Sequence, residues 1–143
     1  MSTDILLRNA RSFTIAAERC LVFKPLSKGT FELPLTPAMV NQTLSVELYL
    51  KYILSKQGKT IKKNILHRLF NALDKNTLSI YNLNIKVFPF STFDKEVLIH
   101  SDVFTKYRYE HDGVIDGRGI DIKFLKQICD CSELIIKKYY SKI

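Results

Sequence analysis

The stretch from Asn41 to Leu73, NQTLSVELYLKYILSKQGKTIKKNILHRLFNAL, constrains this chain more than any other. Leu44, Val46, Leu48, Leu50, Ile53 and Leu54 leave a helix here almost no polar face, which demands neighbours on most of its sides. Such a helix belongs at the centre of a bundle. Gly58 turns the chain and a second helix follows. Glu47 and Lys51 are four residues apart with the acid first, so they meet on one face as a structural ion pair, half-buried on so apolar a helix.

The remaining elements follow from punctuation and periodicity. Ser2, Thr3 or Asp4 can cap a first helix running to about Val22, with an apolar stripe of Ile5, Leu6, Phe13, Ala16, Ala17, Cys20 and Leu21. Pro25, Gly29 and Pro34 prevent its continuation, so residues 24–36 read as a loop crossing one end of the bundle. Thr36 before Pro37 reads as the start of the central helix, a capping hydroxyl and then a proline whose missing N–H does no harm there. That helix extends to about Ser55. A third, from about Ile61 to Leu73, turns Ile65, Leu66, Leu69, Phe70 and Leu73 inward.

Leu83, Ile85 and Val87 alternate with Asn84 and Lys86, which predicts a short extended strand-like excursion. Ser91 to Asp94 has capping-box spacing and opens a fourth helix from Thr92 to about His111. A fifth, from about Asp121 to Tyr140, turns Phe124, Leu125, Ile128, Ile135 and Tyr139 inward. The expected fold is all-α, an up-and-down bundle of four to five helices forming one domain over residues 1–143. A chain of this length buries roughly 68–70% of its unfolded surface without metal or disulfide staples.

Composition excludes several classes. Cys20, Cys129 and Cys131 are an odd set without framework spacing, and the N-terminus lacks a basic region followed by a long apolar core. A reduced, cytoplasmic protein is expected. No run approaches the ~18–20 apolar residues of a membrane span. On a helix, Cys129 and Cys131 point about 200° apart, and no nearby histidine completes a zinc set. Asp112, Asp116 and Asp121 lack the spacing of a calcium loop. Phosphate-cradling glycine loops and hydrolase or metalloprotease motifs are absent. No metal and no cofactor are expected.

The net charge of +8 is uneven. Residues 41–75 carry seven Lys or Arg against Glu47 and Asp74, a surplus of five. Lys56, Lys59, Lys62, Lys63 and Arg68 are therefore candidates for holding an RNA phosphate backbone. The same residues also fit a merely solvated surface. In the fourth helix Phe104, Tyr107, Arg108 and His111 share one face, setting an arginine and a histidine one turn apart beside two aromatics.

These stretches resemble a known family. Pro37-Ala38-Met39-Val40 followed by Ser45-Val46-Glu47-Leu48-Tyr49-Leu50-Lys51 is similar to the Pro-Ala-x-x … Ser-x-Glu-x-x-Leu-Lys helix of HEPN-like helical-bundle proteins. Leu66-His67-Arg68-Leu69-Phe70 resembles that family's His-Asp-Leu-x-x-Leu-Phe segment. Phe104-Thr105-Lys106-Tyr107-Arg108-Tyr109-Glu110 resembles its Phe-x-x-Trp-Arg-Tyr-x-x-Glu helix. The matches cover residues 37–73 and 92–111.

The resemblance implies a helical bundle that pairs as a homodimer. Family members include metal-independent endoribonucleases of bacterial toxin–antitoxin and anti-phage systems, built on Arg-x(4–6)-His. Other members lack that motif and serve as binding or scaffold modules, so the alternative expectation is a non-catalytic dimeric module that binds a protein partner, such as an antitoxin, or a nucleotide. In the enzymes an arginine stabilises charge on the scissile phosphate and a histidine transfers protons. Here Arg108 and His111 are the candidate catalytic residues, but only two residues intervene, short of the ribonuclease spacing. Arg108 also reads as a helix-packing arginine paired with Glu47, Glu110 or a loop carboxylate. His111 also reads as a cation facing a helix C-terminus.

Overall fold

The computed structural model describes the backbone of residues 3–21, 24–25, 31–32, 35–61, 65–87, 89–109 and 121–141, and side chains over 3–21, 37–61, 65–87, 89–101 and 121–141. Six α-helices appear among these residues: α1 (Thr3–Cys20), α2 (Leu35–Lys56), α3 (Leu66–Ala72), α4 (Lys75–Asn84), α5 (Phe93–Tyr109) and α6 (Ile122–Ile135). A π-helical turn, Ile136–Tyr140, continues α6. Among the described residues the fold is all-α apart from a two-residue antiparallel pair, β1 (Lys24–Pro25) with β2 (Phe31–Glu32), in the segment expected to be loop.

Helix α2 is the central element its sequence demands. Val46, Leu50 and Ile53 are fully buried, and so, nearly, are its polar residues Gln42, Thr43, Ser45 and Glu47. Helix α1 lies antiparallel along it, with Thr3 Oγ1 bonded to Ser55 Oγ at one end and Ser45 Oγ donating to the Ala10 carbonyl midway. Helix α6 runs parallel on another side, its Cys129, Glu133 and Tyr140 meeting Gln42, Tyr49 and Gln57 in turn. Helix α4 covers the far side of α6, where Tyr81 meets Ser132. Cys129 and Cys131 thus do point apart, and both are buried because α6 is packed on two sides.

Helices α3 to α6 close around an aromatic cluster. Phe70 stands edge-on to Tyr81 and to Phe93, each at 5.2 Å, and Phe124 reaches Phe93 at 6.0 Å. Edge-to-face pairs add to what burial alone supplies, about 0.5–1.5 kcal/mol each.

The structure corrects several expectations. Helix α2 begins at Leu35, ahead of the Thr36–Pro37 signal, with Pro37 still inside the first turn where its lost donor is harmless. Described α3 starts only at Leu66, residues 62–64 lying outside the described residues. The expected excursion over 83–87 begins later than its alternation suggests, since Leu83 and Asn84 still belong to α4: Thr77 and Tyr81, four apart, bury one face of that helix, while Leu83 is 85% exposed. Residues 85–87 leave the helix, with Ile85 extended, and the Gln127 side chain completes the backbone of Lys86, accepting from its N–H and donating to its carbonyl.

The cap of α5 is Thr92, not Ser91: Thr92 Oγ1 accepts from Lys95 N–H, while Ser91 donates to Glu96. The α6 boundary falls as expected, with Asp121 Oδ1 accepting from Lys123 and Phe124 N–H. Tyr139 is exposed instead of inward, because the wider π turn shifts the helical phase and brings Tyr140 to the bundle.

Candidate functional site

The pair on α2 forms as its spacing requires. Lys51 Nζ donates to Glu47 Oε1 at 2.9 Å, with the Glu47 side chain only 5% exposed and Lys51 at the rim. Helix α5, which carries Arg108, packs on α3 and touches α2. The backbone of Arg108 lies in the last turn of α5; its side chain, those of Phe104 and Tyr107, and all of His111 lie outside the described residues.

Of the candidate RNA-binding residues, Lys56, Lys59 and Arg68 are exposed, and Lys62 and Lys63 lie outside the described residues. Lys56 Nζ sits 5.6 Å from the centre of the Tyr52 ring, in cation–π range. Lys59 has local partners: its ammonium donates to Asp74 Oδ1 at 2.9 Å and to the Ala72 carbonyl at 2.7 Å, capping the end of α3. Beside it a cleft of about 410 Å³ is lined by Leu6, Leu48, Leu54 and Ile61 with Lys51, Ser55, Lys59 and Thr60 on its polar margin.

Sequence reasoning missed a polar seam joining α1, α2 and α6. Arg11 grips Glu133 with two parallel bonds, Nε to Oε1 at 2.7 Å and Nη2 to Oε2 at 3.0 Å, and Tyr49 Oη donates to the same Oε1 at 2.7 Å. The Arg11 guanidinium, and then the tyrosine hydroxyl, hold the Glu133 carboxyl below its ordinary range against an opposing burial effect. Burial, reinforced by the Glu133 charge, raises Tyr49.

Deeper in the seam the hydroxyl protons have one consistent order. Ser45 spends its proton on Ala10 O, so Thr14 must donate to Ser45 Oγ, and the Cys129 thiol donates there too. Gln42 Nε2 donates to Cys129 Sγ. Burial pushes the Cys129 thiol up to about 11, so it is a protonated link in this chain and not a nucleophile. Nothing local in sequence announces the seam, since Arg11 and Glu133 are 122 residues apart.

His100, also unremarked in the sequence, is buried against Phe124 at 4.6 Å. Asp121 N–H donates to its Nε2 at 3.1 Å, so the proton of the neutral ring is on Nδ1, which donates to the Glu96 carbonyl at 2.8 Å. The ring therefore locks the start of α6 onto α5.

Among the described residues no group of three or more His, Cys, Asp or Glu is placed to hold a metal ion. No described helix is long and apolar enough to cross a membrane. Comparison with protein-family models, curated proteins and solved structures gave no match.

Proposed function

We propose that this chain is a HEPN-like helical bundle that binds RNA and acts on it through Arg108 and His111. The observation that carries this reading is the buried Glu47–Lys51 pair on the central helix, at the positions of the Ser-x-Glu-x-x-Leu-Lys resemblance, with the Arg108 helix packed nearby. The surplus of positive charge supports a phosphate-rich ligand. In the proposed reaction a histidine takes the ribose 2′-hydroxyl proton as that oxygen attacks phosphorus. The 5′-oxygen leaves as a second, protonated histidine gives it a proton, the 2′-oxygen–phosphorus bond replacing the one broken, and Arg108 holds the charge that develops on the phosphoryl oxygens. Pairing of two copies would supply that second histidine, His111 of the other copy, together with a second Arg108.

One observation favours a second reading. Two residues, not four to six, separate Arg108 from His111. A non-catalytic dimeric module that binds a protein partner, such as an antitoxin, or a nucleotide needs no such spacing.

Incubating the purified protein with total RNA and tRNA separates the two, with Arg108→Ala and His111→Ala alongside. Cleavage by the wild type that both substitutions abolish is the expected result. No cleavage by the wild type across substrates and pH rules out the ribonuclease and leaves the binding module.

A further inference from the structure

Three elements meet at one end of the bundle, and Gln57 joins them. Its Nε2 donates to Thr77 Oγ1 at 2.9 Å and to Tyr140 Oη at 3.2 Å, and its Oε1 accepts from Asp74 N–H at 3.1 Å. The end of α2, the start of α4 and the π turn therefore share one corner. Residues flanking these anchor points are cationic and exposed. Lys56 precedes Gln57, Lys59 follows the Gly58 turn, Lys75 follows Asp74, and Lys137 and Lys138 lead into the two tyrosines.

Few carboxylates compensate this charge among the described residues. The Thr3–Ser55 bond brings the start of α1, with Asp4, to the same end, and Asp74 is engaged by Lys59. Five lysines thus stand against Asp4, Asp74 and Glu133, the last one turn before Lys137 and gripped by Arg11. On the π turn Tyr139 is 55% exposed, with Lys138 Nζ 5.2 Å from its ring centre. Like charges held together repel, and an anionic ligand relieves that repulsion. An aromatic ring among lysines suits single-stranded nucleic acid, whose phosphates take the cations and whose bases stack on the ring.

We infer that this end of the bundle, built from Lys56, Lys59, Lys75, Lys137, Lys138 and Tyr139, is the surface that holds single-stranded RNA. The inference rests on the RNA reading above and assigns RNA binding to residues other than Arg108 and His111. Helix α6 supplies a matched control, because Lys123 and Lys126 are exposed near its opposite end.

The test is fluorescence anisotropy of a labelled oligouridylate with wild type, Lys137→Glu/Lys138→Glu, Lys123→Glu/Lys126→Glu and Tyr139→Ala, each first checked for an unchanged melting temperature. The expected result is roughly tenfold or greater weakening by the first double variant and under about twofold by the second, which carries the same charge change. Tyr139→Ala should weaken binding several-fold without altering the salt dependence. Equal weakening by both double variants, or more by the Lys123/Lys126 pair, overturns the location while leaving RNA binding intact. No binding by the wild type defeats the RNA reading itself, and the inference with it.

Discussion

Tyr49 on α2 donates its hydroxyl proton to Glu133 on α6, at the carboxylate oxygen that Arg11 of α1 also grips. One carboxylate therefore ties three helices. Because the folded state holds Glu133 below its ordinary range, its stabilising contribution is complete above the unfolded carboxylate value of about 4.3 and is lost as pH falls through the lower folded value. Glu133→Gln should be destabilised at neutral pH by about 1–3 kcal/mol in denaturant unfolding, and should lose less stability than the wild type on acidification. Equal acid sensitivity in the two proteins would show that other carboxylates dominate.

Tyr81 and Ser132 give an ordered pair of outcomes. Ser132 donates to the Ile128 carbonyl at 2.7 Å, so Tyr81 must donate to Ser132 Oγ at 2.6 Å. Tyr81→Phe removes a donor from a hydroxyl that keeps another bond and should cost about 1 kcal/mol. Ser132→Ala strands a fully buried phenol and should cost more, about 1–3 kcal/mol. Urea titration of both variants checks the order.

Gly58 sits at φ 72°, in the left-handed region, with open space where a side chain would go. Gly58→Ala should therefore cost only the backbone term, about 1–2 kcal/mol, and Gly58→Asn less. A larger loss for alanine would mean that the turn also resists the added volume.

Burial pushes Cys129 and Cys131 up to about 11. Neither should react with iodoacetamide in the native protein at neutral pH, and both should react fully in denaturant. Mass spectrometry of the labelled peptides reads this directly.

How much was legible in the sequence follows from range. The central helix declared itself because it lacks a polar face, and Glu47–Lys51 and Asp121 did so because their partners are within four residues. The alternation over residues 83–87 misled because it straddles the end of α4, where burial of Thr77 and Tyr81 decides the structure. The Gln57 corner and the Arg11–Tyr49–Glu133 seam were invisible because tertiary packing alone brings their members together. For the same reason nothing in the sequence ties the π turn to the end of α2, which the Gln57–Tyr140 bond joins.

The central claim, that this basic bundle binds RNA, is tested most directly by the salt dependence of its affinity for a single-stranded RNA oligonucleotide. Each phosphate neutralised contributes a slope of roughly −0.7 in log affinity against log salt. Contacts from the five lysines of the Gln57 corner predict a slope steeper than about −2. Absence of binding at low salt, or an affinity insensitive to salt, would contradict the account.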